Sequence, residues 1–247
     1  MGAAGGPNIV RNSLQFCYDA ANPKSYPGSG NNISDLANNY SDMALYGNTS
    51  YGGFHQSGTK NGAVTLTASG NADSNGCILR NSSDNISTDV NGSFSTMGWM
   101  YRTSSNSAEL MSYREVWTRL SLEITDTGIF FNQRNTSSPY ATNVTSYSVT
   151  NSRNVWDHFA LTKTGTAWRF YKNGSIGVNN TFSMGETISS AAYFHIGAAW
   201  SDDDYLGRGM NGYVGQVMHY TRRLTHAEVL QNYNATKVRY DNFTIVS

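Results

Sequence analysis

Between Trp156 and Gly174 the chain reads WDHFALTKTGTAWRFYKNG, with side chains alternating along its first half. Phe159 and Leu161 fall on one pleat face, and Trp156, His158 and Ala160 fall on the other. Both faces carry apolar or aromatic groups, as a strand covered on two sides requires. Gly165 in Thr164-Gly165-Thr166 supplies a residue free to adopt positive φ, and Trp168, Phe170 and Tyr171 then return as the partner strand. Asn173-Gly174 is a strong two-residue hairpin signal, predicting a further turn. Two interrupting glycines and a run of β-branched and aromatic residues exclude an amphipathic helix here.

The same reading extends along the chain. Leu14, Phe16 and Tyr18 alternate with Gln15, Cys17 and Asp19, predicting a first strand. Turn residues at Asn22-Pro23 and Tyr26-Pro27-Gly28 end it, and a polar loop follows through Ser34, Asp35 and Asn38. Short strands are expected at 63–67, 94–102 and 110–113. Leu120, Leu122 and Ile124 against Arg119, Ser121 and Glu123 give the cleanest alternation, with a Thr125-Asp126-Thr127-Gly128 turn into 129–132. Strands at 193–197 and 213–220 complete about ten, more than one open sheet comfortably holds, so two packed sheets are expected. The fold class is therefore all-β, a two-sheet jelly-roll sandwich. One helix is predicted: Thr225-His226-Ala227-Glu228 is a capping box, and Val229, Leu230 and Tyr233 form an apolar stripe to pack on one end of the sandwich. Residues 1–12 read as a Gly/Ala-rich arm expected to engage another subunit, and residues 13–247 as one domain.

Charge narrows the partners. Of 247 residues only 14% are charged, with 17 Lys+Arg balancing 17 Asp+Glu, so the surface is polar but electrostatically quiet. Without a basic footprint nucleic acid is not an expected partner. No secretory signal pattern opens the sequence and no apolar run approaches a membrane span, so a membrane is not expected either. Cys17 and Cys77 are compatible with a disulfide or with two buried thiols.

Candidate chemistry is sparse. Retaining glycoside hydrolysis needs two carboxyl groups about 5–5.5 Å apart. Glu123 and Asp126 come nearest to such a pair, but Asp126 falls in a turn, and the two read as solvated acids. His55, His158, His195, His219 and His226 follow no metal-ligand spacing. Gly207-Arg208-Gly209-Met210-Asn211-Gly212 matches a dinucleotide fingerprint in letters only, because a strand and not a helix follows it. Asn71 to Gly76 resemble the front half of a calcium loop, but the twelfth position is Ser82 and lacks the bidentate carboxylate. The remaining ligand candidate is AAWSDDDYLGRG. There Trp200 and Tyr205 flank Asp202, Asp203 and Asp204, with Arg208 behind, an arrangement of aromatic faces and polar groups suited to sugars. A solvated acidic loop is the alternative reading.

WDHFALTKTGTAWRFYKNG resembles the central hairpin of laminin-G-like domains of the concanavalin A-like lectin/glucanase superfamily. Asn211 to Tyr240, NGYVGQVMHYTRRLTHAEVLQNYNATKVRY, resembles their last strand and C-terminal helix. Gly6 to Gly30, GPNIVRNSLQFCYDAANPKSYPGSG, is similar to the start of stand-alone laminin-G-like proteins common among tailed-phage virion components. Departures occur at Ile33, where relatives often carry a Trp before an Asp-Leu-Ser-Gly-Asn loop that here reads Asp35-Leu36-Ala37-Asn38, and at 66–81, where their Phe-Asp-Gly-x-x-Asp-Tyr segment is replaced. The resemblance implies a non-enzymatic virion protein, a head decoration, fibre knob or tail-associated adhesin on the particle exterior, made in the host cytoplasm. Its implied partners are other virion proteins, a second copy of itself and a host-surface glycan. No cofactor is implied, and calcium is the one candidate ion. A free-standing carbohydrate-binding lectin domain is the alternative, with a glycoside hydrolase behind it.

Overall fold

The computed structural model describes residues 8–27, 32–46, 63–66, 78–81, 92–105, 107–114, 118–135, 142–181, 193–197, 199–200, 206–207 and 210–241. Two antiparallel sheets face each other, as the number of strand signals predicts. The seven-stranded sheet runs β1 (Leu14–Asp19), β17 (Gly212–Tyr220), β6 (Phe94–Arg102), β11 (Trp156–Thr164), β12 (Ala167–Lys172) and β13 (Ser175–Thr181), and β4 (Val64–Leu66) shares the β17 edge with β1. The eight-stranded sheet runs β10 (Thr142–Ser148), β9 (Gly128–Asn135), β8 (Thr118–Ile124), β7 (Ala108–Arg114), β14 (Tyr193–Ile196), β5 (Ile78–Asn81), β3 (Met43–Tyr46) and β2 (Asn32–Ile33). A separate hairpin pairs β15 (Ala199–Trp200) with β16 (Leu206–Gly207), and the chain ends in α1 (His226–Thr236) and α2 (Val238–Asp241). Among the described residues no helix is long and apolar enough to cross a membrane.

The predicted alternation of β11 holds on both faces. Phe159 and Leu161 enter the core between the sheets with Phe16, Phe94, Phe131 and Trp168. Ala160 enters a second apolar layer on the outer face with Met97, Met218, Tyr220 and Val229. Burying one such large side chain is worth about 1.5–3 kcal/mol. The two turns follow their residues: Gly165 takes φ 53°, and Asn173 and Gly174 take φ 50° and 76°, as a two-residue turn with both central residues left-handed requires.

Three expectations change. Leu14 does not share a face with Phe16, because the register shifts between them against β17; Leu14 joins the outer layer beside Cys17. The helix lies across the outer face of the seven-stranded sheet and not on the end of the sandwich, because β6, β11 and β17 all present apolar groups there. Its capping box forms as predicted, with the Glu228 N–H donating to Thr225 Oγ1 at 3.3 Å and the Thr225 N–H donating to Glu228 Oε2 at 2.8 Å. The buried face, however, is Val229, Asn232 and Thr236, and Leu230 is exposed. Asn232 and Thr236 are accepted in that layer because their groups are used. The Val10 N–H donates to Asn232 Oδ1 at 2.7 Å, Asn232 Nδ2 donates to Tyr220 Oη at 3.0 Å, and Trp99 Nε1 donates to Thr236 Oγ1 at 2.9 Å. Residues 8–10 of the N-terminal segment are thereby held against this same helix, with Gln231 Nε2 donating to the Asn8 carbonyl at 2.7 Å. Cys17 is a buried free thiol, and Cys77 lies outside the described residues.

Candidate functional site

One rim of the sandwich gathers the C-terminal ends of β6, β8 and β14 and the N-terminal ends of β7, β9 and β17. Arg102, at the end of β6 and buried, reaches across to the other sheet: Nη1 donates to the Ile124 carbonyl at 3.1 Å, and Nη2 is ion-paired with Asp126. Arg153 lies 3.6 Å from the same carboxylate. Asn151 Nδ2 donates to the Thr125 and Gly128 carbonyls at 2.8 and 3.0 Å, and the Asn154 N–H donates to the Arg102 carbonyl at 2.8 Å. Asp126 is therefore not half of a solvated acid pair with Glu123. Glu123 is itself buried, and its Oε2 accepts from Asn132 Nδ2 at 2.7 Å.

The buried acid opposite Glu123 is Glu109. Strand register sets Glu109 of β7 directly across from Glu123 of β8, beside a bulge at Leu110. Sequence inspection misses this pair, since fourteen positions separate the two and only the register brings them together. Directly opposite residues on one face have Cβ atoms about 4.5–5.5 Å apart. Ser112, Ser121 and His195 continue the polar face, and all three are buried.

Next to this rim, on the outer face of the seven-stranded sheet, three aromatic residues stand in one cross-strand row. Trp156 of β11 is opposite Tyr101 of β6, and Tyr101 is opposite Tyr213 of β17. Ring centroids are 5.7 Å apart for Trp156 and Tyr101 and 5.6 Å for Tyr101 and Tyr213, and each residue is half-buried. Burial, reinforced by Tyr213, pushes the Tyr101 hydroxyl pKa up, so it stays a neutral donor and acceptor. The row continues inward through Tyr240, 4.8 Å from Trp156, to Trp99, 4.4 Å from Tyr240, which anchors it beneath the helix. Trp156 belonged to the predicted hairpin, but its alignment with Tyr101 and Tyr213 is a matter of pairing and is not visible in the sequence.

The aromatic and acidic loop picked out in the sequence starts from the same rim. The Gly197 N–H donates to the Leu110 carbonyl at 3.4 Å and the Met210 N–H to the Gly197 carbonyl at 2.8 Å, closing the base of the β15–β16 hairpin. The backbone of Trp200 pairs with Leu206. Asp202, Asp203, Asp204, Tyr205 and Arg208 lie outside the described residues, as do Asn71 to Gly76 of the calcium-like stretch. The Gly207 to Gly212 fingerprint leads into β17, a strand.

Solved structures share this architecture. Domain 4 of AbnA, a GH43 extracellular arabinanase from Geobacillus stearothermophilus, described in complex with arabinotriose, superposes with a TM-score of 0.62 at 18% identity, covering 90% of this chain and 98% of that one. Botulinum neurotoxin type C, whose cell entry is described as dependent on two ganglioside molecules, gives 0.63 at 14% identity over 91% of this chain and 51% of that one. A Trypanosoma rangeli sialidase in complex with the inhibitor DANA gives 0.57 at 13% identity over 92% of this chain and 33% of that one. The chain thus spans about half of the neurotoxin chain and a third of the sialidase, and at these identities the likeness is one of fold. No curated protein matches in sequence. A laminin-G family model, described as the concanavalin A-like lectin/glucanases superfamily, matches residues 58–230, and the chain belongs to that family.

Proposed function

We propose that this protein is a non-enzymatic glycan-binding domain that contacts sugar at the rim described above, and that it is displayed on the exterior of a phage particle. The observation that carries the glycan reading is the aligned, half-buried row Trp156, Tyr101 and Tyr213. The rings are tilted by 58° between Trp156 and Tyr101 and by 71° between Tyr101 and Tyr213, so the row offers a pyranose a mixture of apolar faces and edges, held in register at little ordering cost. Trp200, Asp202, Asp203, Asp204, Tyr205 and Arg208, in the sequence between β14 and β17, are proposed to complete the site. Fold neighbours whose descriptions name arabinotriose and gangliosides support the reading by analogy of fold. Against catalysis stands the state of the Glu109–Glu123 pair: both are buried, and Glu123 is engaged by Asn132. The virion role rests on the similarity of Gly6 to Gly30 to phage proteins, with other virion proteins or a second copy of the chain as its partners.

A glycan array tests the first part. Binding to a defined glycan, lost on Tyr213→Ala and on Trp200→Ala or Asp203→Ala, is the expected result. An array with no signal favours a purely structural role, and hydrolysis of arabinan or β-glucan by pure protein overturns the non-enzymatic reading. Mass spectrometry of a purified particle, with and without residues 1–7, tests the second part.

A further inference from the structure

A separate cavity of about 620 Å³ opens on the outer face of the seven-stranded sheet at its β1 edge. Its floor is Asp19, Gln216 and Arg239, drawn from β1, β17 and α2. The bulge in β17 leaves Gln216 opposite Asp19, and Tyr240 locks that bulge by accepting the Gln216 N–H at 2.8 Å. Gly215 is required there, since a Cβ would lie 2.3 Å from Tyr240 Oη.

The hydrogen-bond inventory of the floor is specific. Asp19 Oδ1 accepts the Ala21 N–H at 3.0 Å, and Oδ2 accepts Gln216 Nε2 at 3.2 Å and Arg239 Nη1 at 2.6 Å. Gln216 Nε2 also points at Cys17 Sγ at 3.5 Å. Burial, with Asp19 and Asp35 adding to it, pushes the Cys17 thiol up, so it remains protonated. The Asp19 carboxylate, paired with Arg239, only accepts, so it holds Nε2, and Oε1 of this cavity-lining glutamine is the amide atom left without a partner. Gln216 is only 2% exposed and Oε1 has no hydrogen-bond partner among the described residues. A buried acceptor left without a donor costs about 1–3 kcal/mol, so the site calls for a hydroxyl or amide proton. The cavity wall adds Arg11 and Lys24, both exposed, while its one carboxylate, Asp19, is already neutralised by Arg239. The ligand must therefore donate to Oε1 and carry negative charge. The volume lies within the range of about 300–1,000 Å³ typical of small-molecule sites, more than a bare anion fills.

We propose that this cavity is a binding site for an acidic sugar, a hydroxyl donating to Gln216 Oε1 and a carboxylate meeting the Lys24 and Arg11 cations. It does not depend on the aromatic rim. Titration calorimetry of the full chain with D-glucuronate tests it, with D-glucose and acetate as probes that each hold one of the two features. Glucuronate is expected to bind at least about tenfold more tightly than either. Gln216→Met should weaken it, and so should Lys24→Ala and Arg11→Ala, two exposed substitutions that leave the fold intact; Tyr213→Ala at the rim should not. Equal binding of glucose removes the charge argument, equal binding of acetate removes the hydroxyl argument, and no binding of glucuronate at millimolar concentration overturns the proposal.

Discussion

Tyr113 Oη lies 2.9 Å from His219 Nδ1, a polar contact made across the core from the eight-stranded sheet to the seven-stranded one. His219 stacks on Phe16 and on Phe94, with ring centroids 5.3 and 5.6 Å away. The imidazole thus fills an aromatic slot, and the tyrosine hydroxyl satisfies one of its nitrogens. Tyr113→Phe keeps the packing and strands that nitrogen. It should lower unfolding free energy by about 1–3 kcal/mol in urea titration; an unchanged midpoint would show that the contact contributes nothing net.

His219 and His158 are both fully buried, and burial holds each imidazole pKa down to about 3, against an ordinary 6.5. In the unfolded chain each takes a proton near pH 6.5, whereas in the folded chain each stays neutral until about pH 3. Their contribution is therefore complete above pH 6.5 and is lost as pH falls toward the folded value. Each should add a slope of up to about 1.4 kcal/mol per pH unit between pH 6 and 4. The unfolding free energy from urea melts should fall accordingly as pH is lowered over that range, and His219→Phe and His158→Phe should each remove part of that pH dependence, whatever they do to stability at pH 7.

Asp35 organises the loop between β2 and β3. Its Oδ1 accepts the N–H groups of Cys17 and Ala37 at 2.7 and 2.9 Å, and its Oδ2 accepts those of Asn39 and Tyr40 at 3.0 and 3.2 Å. Asn38 in this loop takes φ 60°. Asp35→Asn retains one accepting oxygen and turns the other into a donor facing N–H groups. A loss of about 2–4 kcal/mol is expected from the broken charge-assisted bonds. Asn38→Gly should be neutral or slightly stabilising, since glycine takes that φ without penalty. Paired thermal melts of the two variants check both.

Much of the sandwich was legible because its central strands carry a period of two with large apolar groups. Trp156 to Gly174, Leu120 to Ile124 and the Thr225 capping box all behave as their residues dictate. Strands β10 and β13 were missed for the opposite reason: TNVTSYS and SIGVNNT are polar, lie at sheet edges, and gain strand geometry from their neighbours. Burial of Glu109 and Glu123, the aromatic row and the Asp19–Gln216–Arg239 floor all depend on which residues face each other across strands. Asp19 and Arg239 are 220 positions apart, and two register shifts in the strands concerned defeat simple alternation. The Asp202 to Arg208 loop lacks periodicity altogether, so the sequence speaks only to its chemistry.

Arg102 supplies the last test, because it ties the two sheets at the rim where sugar contact is proposed. It is buried, and its charge is balanced by Asp126, whose side chain is 35% exposed. Asp126→Ala leaves a guanidinium in a low-dielectric site with the Ile124 carbonyl alone among the contacts described above. Removing one partner of a buried pair costs about 3–5 kcal/mol, and the exposure of Asp126 reduces this to about 2–3 kcal/mol. Asp126→Asn, which keeps an accepting oxygen, should cost less than half of that. Arg102→Met, which removes charge and partner together, should be milder than Asp126→Ala if the stranded charge is the cause. Should Arg102→Met prove as costly as Asp126→Ala, the rim is held by the geometry of the Arg102 bonds rather than by charge balance. The Tyr101 and Tyr213 row would then loosen in both variants, which near-ultraviolet circular dichroism would register.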